Sequence, residues 1–85
     1  MSKRLFSSDE IVAALRRGGF EQARKSKGSH ATFKRLRPDG THDVTVVVLG
    51  KSEVPKPTLD GILRLAGVQF SEFLEWAQVK KRGGK

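Results

Sequence analysis

The tripeptide Gly28-Ser29-His30 carries the residue types in this chain that are best suited to acid–base chemistry. Histidine titrates near neutral pH, so an imidazole can both accept and donate a proton there. Basic residues surround the tripeptide in the sequence; they are Arg24, Lys25, Lys27, Lys34, Arg35 and Arg37. Cations beside a histidine suit chemistry on a phosphodiester, and RNA supplies its own nucleophile, the ribose 2′-hydroxyl. The pattern therefore predicts a positive region that acts on RNA, with His30 as the proton-transfer group.

The residues close to His30 in sequence also predict how an RNA chain is held. The candidate RNA-binding residues are Arg24, Lys25, Lys27, Gly28, Ser29 and Lys34. A lone histidine at the start of a strand is more often a surface residue, so a non-catalytic basic RNA-binding module stays open as an alternative. A protein-interaction domain whose positive charge serves only an acidic partner is the third interpretation.

Other candidate chemistries find little support in the sequence. His42 follows the turn at Pro38-Asp39-Gly40, where we expect an exposed side chain. Two histidines far apart, without paired carboxylates, do not have the spacing of a metal site, so no metal or other cofactor is expected. Ser29 lacks the Gly-x-Ser-x-Gly elbow and the aspartate partner of an acyl-transfer nucleophile.

Length, charge and cysteine content limit the class of protein. The 85 residues suffice for one small domain. Seventeen Lys and Arg against nine Asp and Glu give a formal charge of +8, which favours nucleic acid or an acidic protein as partner. Cysteine is absent, which excludes disulfides and thiol catalysis and fits a reducing compartment. No apolar run approaches the ~20 residues of a membrane span, and the N-terminus does not read as a secretory signal, so we expect a cytoplasmic protein.

The first element is predicted to be a helix that begins after Ser7. Ser7 and Glu10 have the spacing of a capping box. An apolar stripe at helical spacing follows, and Gly18-Gly19 is the expected left-handed stop.

Three short strands are predicted next. They cover Phe20 to about Lys25, His30 to Leu36, and Val44 to Leu49. Because short turns join them, we expect an antiparallel meander with one face covered and the other open.

Two further helices complete the predicted order. Pro57 suits a first helical position and Gly67 a terminator. Residues 69-79 form an expected extra helix, whose aromatic residues are more often core than base-stacking, and residues 80-85 an expected frayed basic tail. The fold class is therefore α+β in the order α-β-β-β-α(-α), with helices on one sheet face, an order similar to that of double-stranded RNA-binding domains.

Three segments in order resemble the HicA family of toxins from toxin–antitoxin pairs. The first is Arg17-Gly18-Gly19-Phe20, at the end of the first predicted helix. The second is Lys27-Gly28-Ser29-His30-Ala31-Thr32-Phe33, which is similar to the family's glycine–serine–histidine signature. The third is the segment from Val54 to Val68, close to the family's second-helix pattern. Together they span a HicA-like core over residues 7-68 within a single domain of residues 1-85.

The resemblance implies a double-stranded-RNA-binding-like fold and a small ribonuclease that cleaves messenger RNA. The signature histidine of the family, regarded as catalytic, corresponds to His30. The resemblance also implies a cognate antitoxin, HicB, that binds the toxin and masks this site. An acidic surface on such a partner would suit the charge of +8.

Overall fold

A computed structural model describes residues 5–23 and 28–83 of the chain, with side chains up to residue 78. Within these ranges the elements are α1 (Ser8–Arg17), β1 (Glu21–Gln22), β2 (His30–Leu36), β3 (His42–Val48), α2 (Lys56–Ala66) and α3 (Phe70–Gly83). Helix, three strands and two helices follow one another as the sequence patterns predict. The α+β fold class is confirmed.

The capping box sets the beginning of α1. Ser7 Oγ accepts a hydrogen bond from the Glu10 N–H at 3.1 Å, and the Glu10 carboxylate accepts one from the Ser7 N–H at 2.9 Å. Each contact satisfies an amide that has no partner inside the helix. Gly19, at a φ of 96°, takes the left-handed conformation that ends the helix. Both predicted ends of α1 are therefore confirmed.

The three strands form one antiparallel sheet in the order β1-β2-β3. In the β2–β3 hairpin, His30 is opposite Val48 at one end and Leu36 is opposite His42 at the other. The predicted bounds of β2 are confirmed. The prediction for β3 is shifted, because the strand begins at His42 instead of Val44 and ends one residue before Leu49.

The turn after β2 explains the early start of β3. The Arg37 N–H donates to the Thr41 carbonyl at 2.7 Å, so the next residue is already paired with β2. Pairing geometry thus overrides the low strand propensity of the residues that follow the turn.

The first strand is shorter than the sequence predicts, since β1 contains Glu21–Gln22 alone. Phe20 precedes it as a buried core residue. The predicted continuation beyond residue 23 lies outside the described residues.

Helix α2 packs against the covered side of the sheet. Pro57 is its second residue instead of the predicted first, and Gly67 ends it at a φ of 70°. Its buried residues are Leu59, Ile62, Leu63 and Ala66. They share a core with the inward-facing sheet residues, among them Ala31, Phe33 and Val47.

Helix α3 packs against α1 and α2 and contributes to the same core. It continues to Gly83, past the predicted end at residue 79 and into the segment expected to fray. Phe73 is fully buried and meets the ring of Phe6 edge to face, with 5.1 Å between centroids. The predicted core role is confirmed for Phe73. No helix among the described residues combines the length and apolar character needed to cross a membrane.

Candidate functional site

His30 combines an exposed side chain with a fixed backbone. It is the first residue of β2 and lies opposite Val48 of β3. One residue earlier, the Ser29 carbonyl accepts a hydrogen bond from the Leu49 N–H at 2.6 Å. The ladder therefore extends beyond the strand and holds the chain on both sides of the site. The imidazole is open to solvent above this rigid base.

Gly28 and Ser29, the described residues directly before His30, leave its approach uncovered. Gly28 has a φ of 57°, a left-handed conformation that a side chain disfavours. A Cβ atom built there would meet nothing within 4 Å, so the backbone conformation and not crowding selects glycine. Gly28 and Ser29 are both exposed. Within the described part of the chain, these two residues therefore leave the imidazole accessible to a ligand.

The side of the sheet that carries His30 is turned away from the helices, and we call it the open face. Its members alternate along the hairpin: His30, Thr32, Lys34 and Leu36 on β2, and His42, Val44, Val46 and Val48 on β3. Lys34 is exposed and stands four residues, or about 13 Å, along the strand from His30. Three other candidate RNA-binding residues, Arg24, Lys25 and Lys27, lie outside the described residues.

Arg35 and Arg37 do not join the positive region near His30, so that part of the prediction is wrong. Both bind the carboxylate of Asp43, on the neighbouring strand. Arg35 donates to Oδ2 from Nη2 at 2.9 Å and from Nε at 3.3 Å, and Arg37 Nε donates to Oδ1 at 2.8 Å. One carboxylate thus pairs with two guanidinium groups, and we call these three side chains the Asp43 cluster.

The Asp43 cluster also joins the sheet to the end of α1. Arg35 Nη1 donates to the Gly18 carbonyl at 3.1 Å, and its guanidinium lies 4.6 Å from the ring centroid of Phe20. Burial tends to raise the pKa of Asp43, but the hydrogen bonds from Arg35 and Arg37 outweigh burial and leave that pKa below its ordinary value. The arrangement is that of a structural ion-pair network.

Ser8 is a residue near the site whose role the sequence analysis missed. It is almost fully buried, and its hydroxyl donates to the Val48 carbonyl at 2.6 Å and accepts from the Lys51 N–H at 3.0 Å. The Ser8 N–H donates to the Lys51 carbonyl at 2.9 Å. These bonds hold the segment after β3 against the beginning of α1. The sequence signal for this role is Ser8 itself, a second serine directly after the N-cap residue that the capping box does not need.

His42 is at the opposite end of the hairpin from His30. It pairs with Leu36 and is exposed, as the sequence predicts. Six strand steps separate the levels of the two histidines, about 20 Å. The two imidazoles therefore cannot act on one phosphate.

Comparison with protein families identifies the chain. The model of the family described as HicA toxin of bacterial toxin-antitoxin matches residues 8–68. That range exceeds half of the 85 residues and contains α1, β1, β2, β3 and α2. The chain belongs to the HicA toxin family.

Membership of the HicA family gives the protein a toxin role and implies a cognate antitoxin. The resemblance noted in the sequence is confirmed. Helix α3 lies beyond the matched range, although Phe73 fills part of the same core. No curated protein gave a match to the chain.

Proposed function

We propose that this HicA family toxin is a metal-independent endoribonuclease that cleaves messenger RNA, with His30 as its general acid/base. The observation that carries the proposal is the placement of His30: an exposed imidazole on a backbone held by β3 and by the Leu49–Ser29 hydrogen bond. General acid–base catalysis needs a proton-transfer group that the substrate can reach and that keeps its position. With messenger RNA as its substrate, the toxin would act in the cytoplasm.

The proposed reaction is a transphosphorylation within the RNA. His30 accepts the proton of the ribose 2′-hydroxyl as the 2′-oxygen attacks the adjacent phosphorus. The bond from phosphorus to the 5′-oxygen breaks, and the leaving oxygen takes up a proton from solvent or from a second side chain. The products are a 2′,3′-cyclic phosphate and a free 5′-hydroxyl.

Positive charge would hold the RNA along the open face. Lys34 is exposed on that face, about 13 Å along the strand from His30, so it is suited to a phosphate further along the RNA than the reacting one. Arg24, Lys25 and Lys27 precede the site in sequence and are proposed as further phosphate contacts. Gly28 and Ser29 leave room for the RNA backbone to approach. Cations also stabilise the charge that develops on the phosphorane.

The test is cleavage of a single-stranded RNA in the presence of EDTA. We expect the wild-type protein to release products with 2′,3′-cyclic phosphate ends. His30→Ala is expected to lose about 10²–10⁴-fold in rate, the usual effect of removing a general acid or base. Circular dichroism checks that the variant folds, which its exposed position favours. A folded His30→Ala protein that cleaves at the wild-type rate would rule out the catalytic role.

A non-catalytic RNA-binding module is the alternative function that the open face and the charge of +8 support. It predicts salt-sensitive RNA binding with the RNA left intact by the wild-type protein. The cleavage assay therefore separates the two functions. A protein that retains no RNA at physiological salt would favour neither, and would leave the acidic protein partner as the purpose of the charge.

A further inference from the structure

In the first half of β3, two polar residues are buried and two valines are exposed. Asp43 and Thr45 face the core, whereas Val44 and Val46 face solvent with 45% and 36% of their surface exposed. Most half-buried strands have the opposite pattern, with apolar residues towards the core. An apolar face directed at solvent is typical of a surface that another molecule covers.

The inward polar residues fix β3 in this orientation. The Asp43 carboxylate is held by two arginines, and the Thr45 hydroxyl donates to the Ile62 carbonyl of α2 at 2.7 Å. A shift of one residue would exchange the two faces, leaving these contacts unmade. The exposure of the valines is therefore a specified property of the fold.

Strand β3 is also an edge of the sheet. In an antiparallel pair, every second residue directs its N–H and C=O groups towards the neighbouring strand. Counting from the Leu49–Ser29 and Arg37–Thr41 hydrogen bonds, Thr45 is one of the β3 residues that direct these groups towards β2. Val44 and Val46 alternate with them and direct their N–H and C=O groups outward. Among the described residues, no hydrogen bond joins those outward groups to another element. We call this part of the strand, Val44 and Val46 with their outward backbone groups, the valine edge.

We propose that the cognate antitoxin is an acidic protein that binds the valine edge. It adds a strand to β3 and covers the two valines with apolar side chains. Strand addition uses unpaired backbone groups for affinity and side-chain contacts for specificity. Lys34 stands opposite Val44 and offers a cation to a carboxylate at the rim. The charge of +8 on each chain opposes the pairing of two copies through this edge.

Occupation of the valine edge would also restrict access to His30. Val46 is two residues, about 7 Å, from Val48, which pairs with His30 on the same open face. A partner side chain over Val46 therefore stands beside the imidazole. This consequence rests on the proposed ribonuclease function, whereas binding to the edge does not.

The test measures binding of the cognate antitoxin to variants made in the His30→Ala background. That background separates binding from ribonuclease activity. The double variant Val44→Lys, Val46→Lys places charge on the edge, as natural edge strands do to prevent pairing. We expect its affinity to fall roughly 100-fold. Leu65→Lys is the matched control, because Leu65 is an apolar residue of α2 that is 64% exposed, and its affinity should stay within about twofold.

Amide hydrogen exchange provides a second measurement that needs no edge variant. On complex formation, exchange at the Val44 and Val46 N–H groups should slow by roughly tenfold or more. Equal affinity of the double variant and the control, or unchanged exchange at both amides, would overturn the proposal. Failure of the His30→Ala protein to bind the acidic protein would overturn it as well. A dimer of the His30→Ala protein in analytical ultracentrifugation that the two lysines abolish would overturn it in favour of a second copy.

Discussion

The two ends of the β2–β3 hairpin contain similar residues and differ in what those residues contact. Each end has an exposed histidine, His30 or His42, with basic residues nearby in the sequence. At the His42 end the Asp43 carboxylate binds Arg35 and Arg37, whereas no ion pair among the described residues lies at the His30 end. Lys34 lies on the open face between the two histidines. Because of Asp43, the basic residues at one end of the hairpin form a structural cluster, whereas the other end is a candidate site. Charge that is already paired inside the fold is not available to a ligand.

The largest contrast between the two ends is expected in RNA cleavage. His30→Ala should lower the rate by about 10²–10⁴-fold, and His42→Ala should leave it within about threefold of wild type. Both side chains are exposed, so neither change removes core packing. Initial rates on one RNA, with both variants at equal concentration, check this prediction. Equal losses in the two variants would mean that the difference between the ends has no catalytic meaning.

Removal of the carboxylate should have the next largest effect, on stability. Asp43→Ala leaves two arginines without their acceptor and should lower the free energy of unfolding by about 2 kcal/mol. Asp39→Ala is the control, because Asp39 is an exposed carboxylate whose hydrogen bonds reach no further than Thr41. Its effect should be clearly smaller. Urea denaturation of both variants tests this, and an Asp43→Ala protein as stable as wild type would contradict a structural role for the cluster.

The same cluster predicts how stability depends on pH. Despite burial, the hydrogen bonds from Arg35 and Arg37 hold the pKa of Asp43 below its ordinary value, so the folded state binds this proton more weakly than the unfolded state does. The stabilisation is therefore complete above about pH 4 and is lost as pH falls through the lowered pKa. Wild type should exceed Asp43→Asn in stability at neutral pH, with the difference shrinking in acid. A difference that stays constant from pH 7 to pH 2 would exclude this linkage.

The smallest expected effect is a difference between Lys34 and Arg37 in the salt dependence of RNA binding. Lys34→Ala should reduce the salt dependence of RNA binding by about 0.7 to 1 in logarithmic slope, which corresponds to one phosphate contact. Arg37→Ala should leave the slope unchanged, because Asp43 already pairs that guanidinium. Binding of the His30→Ala protein with each substitution, from low to high salt, separates the two residues. Equal slopes for both would remove the distinction between free and paired cations.

Local patterns in the sequence predicted most of the elements. The capping box of Ser7 and Glu10, the alternation from His30 to Leu36 and the glycine at position 67 each act on neighbours within a few residues. Such short-range interactions determine where an element begins and ends, whatever it packs against. The predicted start of β3 was wrong because the closure of a turn, and not propensity, decides where pairing begins.

The orientation of β3 could not be predicted in the same way. The run Val44-Thr45-Val46-Val47-Val48 lacks a clear alternation of apolar and polar residues, so either face was a possible core side. The contacts of Asp43 with two arginines and of Thr45 with α2 select the face that is buried. Those partners belong to other elements, and local spacing contains no information about them.

By itself, the sequence determined the order of elements, the family and the position of His30 at the beginning of a strand, because residues adjacent in the chain define all three. The tertiary structure alone decided which cations stay available, how Ser8 holds the segment after β3 against α1, and which valines face solvent. These properties depend on residues far apart in sequence that meet when the sheet forms, as Ser8 meets Val48 and Arg35 meets Asp43. Only the folded chain brings such groups within hydrogen-bonding distance.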